Sequence, residues 1–197
     1  MEPSVEPAVA GILDRPDLPR GLLATAWPLA ALALLLLLLL RACVALSTAP
    51  TAPFDPVAAT RQANDVALAA LRGLPPQPDV DLAINALNAV VINFASGSDV
   101  VPVEMSLLLD EAAKVIISLP EGTRIQVTGH TDNLGNPTAN VALSERRAIS
   151  VCAALRARGV TAEALTAGGV GAGQPVADNS TVAGRFYNRR IEFSGAP

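Results

Sequence analysis

Gly129–Arg147, GHTDNLGNPTANVALSERR, is the stretch whose reading decides the fold. The residues before it, Arg124-Ile125-Gln126-Val127-Thr128, alternate polar and apolar, the period-2 signature of a half-buried strand. Gly129 lets the backbone leave that strand, and His130, Thr131, Asp132 and Asn133 follow on the exit. Gly135 and Pro137 keep the loop from continuing as helix. A helix is expected from about Asn140, a good cap residue, to a stop at Gly159. This order places Asp132 at a strand exit and Arg147 about two turns into the helix. If helix and strand pack side by side, carboxylate and guanidinium line one groove. Two readings stay open for the pair. The charges close on each other as a structural bridge, the commoner fate of such pairs. Alternatively they stay apart and grip a zwitterion, its ammonium on Asp132 and its carboxylate on Arg147.

Working outward, Asp81 to Ala89 reads as a short helix and Val90 to Phe94 as a first strand. Pro102 sits where a further helix begins. In it Met105, Leu108, Leu109, Ala112, Val115, Ile116 and Leu119 recur at helical spacing and form core. Pro120-Glu121-Gly122 turns the chain into the Arg124 strand. Ala164 to Gly169 forms a short strand, and Arg190 to Phe193 the last, with Ile191 and Phe193 facing inward. Helices alternating with strands argue for an α/β (α+β) sandwich.

Three separated motifs, in this order, carry a family resemblance. Gly129 to Ala148 fits GHTDxxGxxxxNxxLSxxRA; Gly171-Ala172-Gly173-Gln174-Pro175-Val176-Ala177-Asp178-Asn179 and Gly184-Arg185-Phe186-Tyr187-Asn188-Arg189-Arg190-Ile191-Glu192 follow. Together with Ile92 to Ser98 they make residues 88–194 resemble the OmpA C-terminal-like family of peptidoglycan-binding domains. The resemblance implies a βαβαβ domain with a mixed sheet and helices on one face, occupying residues 79–197. It also implies noncatalytic, noncovalent binding of the cell-wall stem peptide, with Asp132 and Arg147 on the free end of a meso-diaminopimelate residue. Thr131, Asn140 and Leu143 hold positions that lie beside the ligand in relatives, and Asp99 stands where several relatives have an acid. No cofactor and no metal is implied.

Before the domain, residues 1–20 are Pro-rich and mixed in charge and read as a disordered cytoplasmic tail. From Leu22 to Leu40 there is no charge, and about 20 such residues span the roughly 30 Å hydrocarbon core. Trp27 suits an interfacial position. Residues 21–46 are therefore expected to be a transmembrane helix, a single-pass anchor in the inner membrane. Cleavage and lipidation at Cys43, after Leu40-Arg41-Ala42, is the competing reading. The plan of anchor plus wall domain also resembles flagellar stator B subunits. Those need an intramembrane acid, and none lies between Leu22 and Leu40, which argues against ion-driven torque. Residues 47–78 form a linker: a Pro/Ser/Thr tether, then a helix over 57–72 that serves as a spacer, an oligomerisation element or a lid. A peptidoglycan ligand requires the C-terminal domain to lie in the periplasm or facing the wall.

The 197 residues carry a net charge of −4, so a nucleic-acid partner, which wants a basic face, is not expected. His130 is the sole histidine, which leaves no metal cluster or relay, and no facing pair of acids stands out; both weigh against a periplasmic hydrolase. The structural-subunit alternative is an envelope or secretion complex whose domain binds a protein partner. Arg185, Arg189 and Arg190 form a basic cluster that either contacts anionic wall polymer or bridges to Asp178 or Glu192. Asn179 and Asn188 are expected to tie the long loop to the sheet, and Cys152 to be a small buried apolar residue.

Overall fold

The computed structural model describes residues 35–37 and 53–196. The expected tail, the tether before residue 53, Cys43 and nearly all of the expected membrane span lie outside the described residues. Leu35, Leu36 and Leu37 are helical and exposed. Among the described residues no helix is long and apolar enough to cross a membrane.

From Pro53 on, the chain packs as one unit. Helix α1 (Pro56–Arg72) starts where Asp55 accepts hydrogen bonds from the N–H groups of Val57 and Ala58, with Pro56 in the first turn. Gly73 ends it, as the sequence predicts. It buries Ala67 and Leu71 against the next two helices. The helix thus packs on the domain. Helix α2 (Val80–Asn88) is capped by Asp79 and buries Ala83, Ala86 and Leu87.

The sequence predicts a strand over Val90 to Phe94, and this is corrected: the segment joins no ladder, and the Phe94 N–H turns back to the Ile92 carbonyl at 3.2 Å. Its hydrogen bonds go elsewhere. The side-chain amide of Asn64 donates to the Val91 carbonyl at 3.0 Å and accepts the Val91 N–H at 2.9 Å. An asparagine thus occupies the two groups that a neighbouring strand would need.

A 3₁₀ turn (Val103–Met105) leads into α3 (Ser106–Ile117). All seven apolar residues expected at helical spacing are buried. Strand β1 (Ile125–Gly129) follows, then α4 (Pro137–Arg156), β2 (Leu165–Gly169), α5 (Val182–Asn188) and β3 (Ile191–Gly195). The sheet has the order β2-β1-β3, with β1 parallel to β2 and antiparallel to β3. Ile125 and Val127 share one face with Leu165, Ile191 and Phe193, and all five are buried. α4 packs on β1 and β2, and α2 on β3. The outward polar groups of Phe193 bond the side-chain amide of Asn88, so that residue closes the outer side of β3 as Asn64 closes Val91.

Two further expectations are adjusted. Helix α4 begins at Pro137, not near Asn140: Asn136 is its cap and accepts from the Ala139 N–H at 3.1 Å. The short helix α5 has no counterpart in the sequence reading; Thr181 caps it through the Gly184 N–H. Cys152 is buried on the inner face of α4 as expected, and burial pushes its thiol pKa up.

Candidate functional site

The site forms where β1 ends against α4. A Cβ on Gly129 would strike the Ser144 carbonyl, and one on Gly169 would strike the Glu145 backbone and the Ser144 hydroxyl. Glycine at both strand ends therefore lets α4 sit directly on the sheet at Ser144. The Ser144 hydroxyl donates to the Val141 carbonyl and accepts the Gly171 N–H at 3.0 Å. Arg147 lies one turn further along the same helix, which brings it to the mouth of the strand exit.

The exit itself is pinned by main-chain bonds. The His130 N–H donates to the Arg190 carbonyl and the Thr131 N–H to the Gly171 carbonyl, both at 2.9 Å. Asp132 follows, its side chain 12% exposed. One carboxylate oxygen accepts the Leu134 N–H at 3.1 Å; the other accepts Arg189 Nη1 at 2.7 Å. Asn140 does not cap the helix but ties the loop, donating to the Leu134 carbonyl at 2.8 Å and to that of Asp132 at 3.4 Å.

Arg147 is buried, 4% exposed, with neutral partners. Its Nε donates to the Ser98 carbonyl at 2.8 Å and its Nη2 to the Ala95 carbonyl at 3.2 Å, while the guanidinium carbon stands 4.8 Å from the centre of the Phe94 ring. Nη1 has no hydrogen-bond partner among the described residues. Burial, then the nearby charge of Arg189, lowers the pKa of Arg147; Asp132 and Asp99 pull the other way. A guanidinium so far from neutral titration remains a cation. Asp132 and Arg147 thus share a field without bonding each other. Asp99 pairs with Arg146 at 3.5 Å.

Of the remaining expected residues, Thr131 is buried at the exit, its hydroxyl without a partner among the described residues. Leu143 is half-buried one turn before Arg147. His130 is buried; its Nε2 lies 3.3 Å from Glu192, but neither ring nitrogen has a hydrogen-bond partner among the described residues. Burial and the charge of Arg190 depress its pKa, against the pull of Glu192. In the basic cluster, Arg190 bridges to Glu192 at 2.6 Å, as one reading had it. Arg185 donates to the Asn179 and Ser180 carbonyls instead of the Asp178 carboxylate. Asn188 accepts the Val176 and Ala177 N–H groups and donates to Asn179; it is the last residue of α5, so these bonds tie the loop to that helix and not, as expected, to the sheet.

Arg189 is the residue the sequence reading placed only in a cluster. Its motif position was visible, but its pairing with Asp132, 57 residues away, was not. The seat of Arg147 on the carbonyls of Ala95 and Ser98 was equally hidden, because main-chain acceptors leave no mark on residue type. Among the described residues no group of His, Cys, Asp and Glu could hold a metal ion.

A model of the OmpA family matches residues 93–189. The peptidoglycan-binding protein ArfA of Mycobacterium tuberculosis is 36% identical over 119 residues, 60% of this chain and 36% of that protein. The outer-membrane lipoprotein YfiB of Pseudomonas aeruginosa is 48% identical over 68 residues, 34% of this chain and 40% of that protein. The chain thus spans less than half the length of either relative. Among solved structures, the C-terminal domain of Helicobacter pylori MotB superposes with a TM-score of 0.50 and 29% identity, covering 54% of this chain and 84% of that one.

Proposed function

With residues 93–189 forming an OmpA-family domain, we propose that this chain is a noncatalytic cell-envelope tether that binds peptidoglycan noncovalently. The ligand is the stem peptide, through the free end of its meso-diaminopimelate residue: Asp132 takes the ammonium and Arg147 the carboxylate, with Thr131, Asn140 and Leu143 alongside. One observation carries this reading. Arg147 is buried on neutral carbonyls with no acid bonded to it, so its charge stays available to an incoming carboxylate. The name of the mycobacterial relative points to the same ligand class. The uncharged stretch from Leu22 to Leu40 supports a single-pass anchor in the inner membrane, with the domain in the periplasm or facing the wall.

The test is retention on purified peptidoglycan of the meso-diaminopimelate type. The wild-type chain should sediment with it, and Asp132→Ala and Arg147→Ala should lose most of that retention, without release of wall fragments. If both variants fold and still sediment like wild type, the assignment of the site is wrong. Protection of the domain from protease added outside the cytoplasmic membrane would contradict the proposed orientation.

A further inference from the structure

We propose that Arg189 is the resident cation of the site: it holds the Asp132 carboxylate until a guest ammonium displaces it, and this exchange makes the site select guests that carry a free carboxylate beside the amine. The inference rests on the reading of Asp132 and Arg147 as the guest's two clamps.

Both oxygens of Asp132 already have donors. Each oxygen keeps a second lone pair, but the side chain is only 12% exposed, so an arriving ammonium competes for access with the donors already there. The Leu134 N–H belongs to the backbone turn that begins at Asp132, and removing it means rebuilding the loop. Arg189 is the movable partner. It follows α5, its side chain is 36% exposed, and it lines a cavity of about 340 Å³ with Val90, Val176, Tyr187 and Ile191. The long side chain can leave the carboxylate and remain over that cavity, its stem against apolar walls and its head in water.

Charge decides which guest gains from the exchange. A guest that brings only an amine swaps one cation for another at Asp132 and leaves Arg189 without that carboxylate beside Arg147, whose charge it opposes; Glu192, on the same cavity, is already held by Arg190 at 2.6 Å. A guest that also brings a carboxylate supplies an anion to both: Arg147 from its fixed seat and Arg189 as it swings away. The exchange is favourable when the two guest charges arrive together. Arg189 thereby acts as a specificity-determining residue against amines that lack the acid.

Two probes separate the cases: a stem tripeptide carrying meso-diaminopimelate, and the same tripeptide with lysine in its place, which keeps the side-chain amine and lacks the acid. Binding is measured by titration calorimetry on the full chain in detergent. Wild type should prefer the diaminopimelate peptide. Arg189→Gln should tighten the lysine peptide and narrow the preference about tenfold, whereas Arg189→Lys, which retains a cation, should keep most of it. Equal loss of both peptides in Arg189→Gln would mean a direct contact with the guest in place of an exchange, and would overturn the proposal. A second readout needs no variant: the Arg189 Nε–H resonance of the wild-type chain should shift when the diaminopimelate peptide is added, and an unchanged signal counts against displacement. If wild type binds the diaminopimelate peptide and Asp132→Ala does not, the functional reading stands whatever Arg189 does. If wild type binds neither peptide, both fall.

Discussion

The β1–α4–β2 crossover and the segment 90–99 both end at the candidate site, yet they are held by different means. In the crossover, β1 is bonded along Ile125–Gly129 to a strand on each side, and α4 rests on Gly129 and Gly169 with no side chain between. The segment 90–99 joins no ladder; its tie to α1 is one asparagine amide on Val91, and a second amide, Asn88, closes the neighbouring edge of β3. The backbone that leads to Asp132 therefore stands on main-chain bonding, although the Asn140 and Arg189 side chains tie the loop and the carboxylate beyond it. The guanidinium of Arg147 grows from rigid helix, but the carbonyls that aim it belong to Ala95 and Ser98. Position on one side of the site is set by the sheet, and orientation on the other by single side chains.

The largest effect expected from this contrast comes from two alanines. Gly129→Ala drives a methyl group into the Ser144 carbonyl, which belongs to a helix backbone and cannot turn aside. We expect a loss of about 3 kcal/mol or more in denaturant unfolding, since overpacking against main chain finds no relaxed rotamer. Gly97→Ala, in the other region, meets nothing within 4 Å, and its cost comes only from a φ of +70°. That should be about 1 kcal/mol. Comparable losses at the two positions would erase the distinction.

Next come the asparagines. Asn64→Ala leaves the Val91 N–H and carbonyl without their partner in a half-buried place and should cost about 1–2 kcal/mol. Asn88 is more exposed, so Asn88→Ala should cost about 1 kcal/mol or less because water replaces the amide. The sharper expectation concerns binding. Asn64→Ala should loosen the 95–98 seat and weaken wall retention beyond its effect on stability, while Asn88→Ala should leave retention near wild type. Hydrogen exchange at Val91 reports the seat directly; unchanged protection in Asn64→Ala would remove the side-chain half of the comparison.

The same contrast separates what was legible in the sequence from what was not. Ladder and core leave periodic traces: Ile125, Val127 and the apolar stripe of α3 repeat at the spacing of their elements, and all are buried. Glycines at close approaches leave a trace too, and so the Gly129 exit was readable. The helix starts three residues before the expected Asn140 because Asn136 is an equally good cap and Pro137, which reads as a loop residue, suits the first helical position. Residues 90–94 have the composition of a strand; a side chain 27 positions earlier takes its bonds, which no local pattern announces. The Asp132–Arg189 pair failed to appear for the same reason. Sequence displayed which charges were present, but partner choice among Arg147, Arg189 and Arg190 depends on where α5 ends, and α5 itself was missed.

The smallest effect expected lies at the rigid end of the site, and its sign follows from burial. His130 continues the β1 exit, 2% exposed, with Glu192 3.3 Å away and Arg190 as the opposing charge. Its folded pKa lies below the ordinary 6.5 because burial and Arg190 disfavour the imidazolium more than Glu192 favours it. Above that ordinary value both folded and unfolded chains hold a neutral ring, and stability does not depend on it. As pH falls below it, the unfolded chain takes up a proton that the folded chain refuses until its own lower pKa is reached. Stability is therefore full above the unfolded pKa and declines as pH drops toward the folded one, by at most about 1.4 kcal/mol per pH unit for one proton. His130→Gln should flatten the unfolding free energy just below pH 6.5 while keeping the steeper acid limb that carboxylates cause. Parallel profiles for wild type and His130→Gln would mean that Glu192 holds the ring protonated, and the exit of β1 would then depend on a side-chain pair just as the segment 90–99 does.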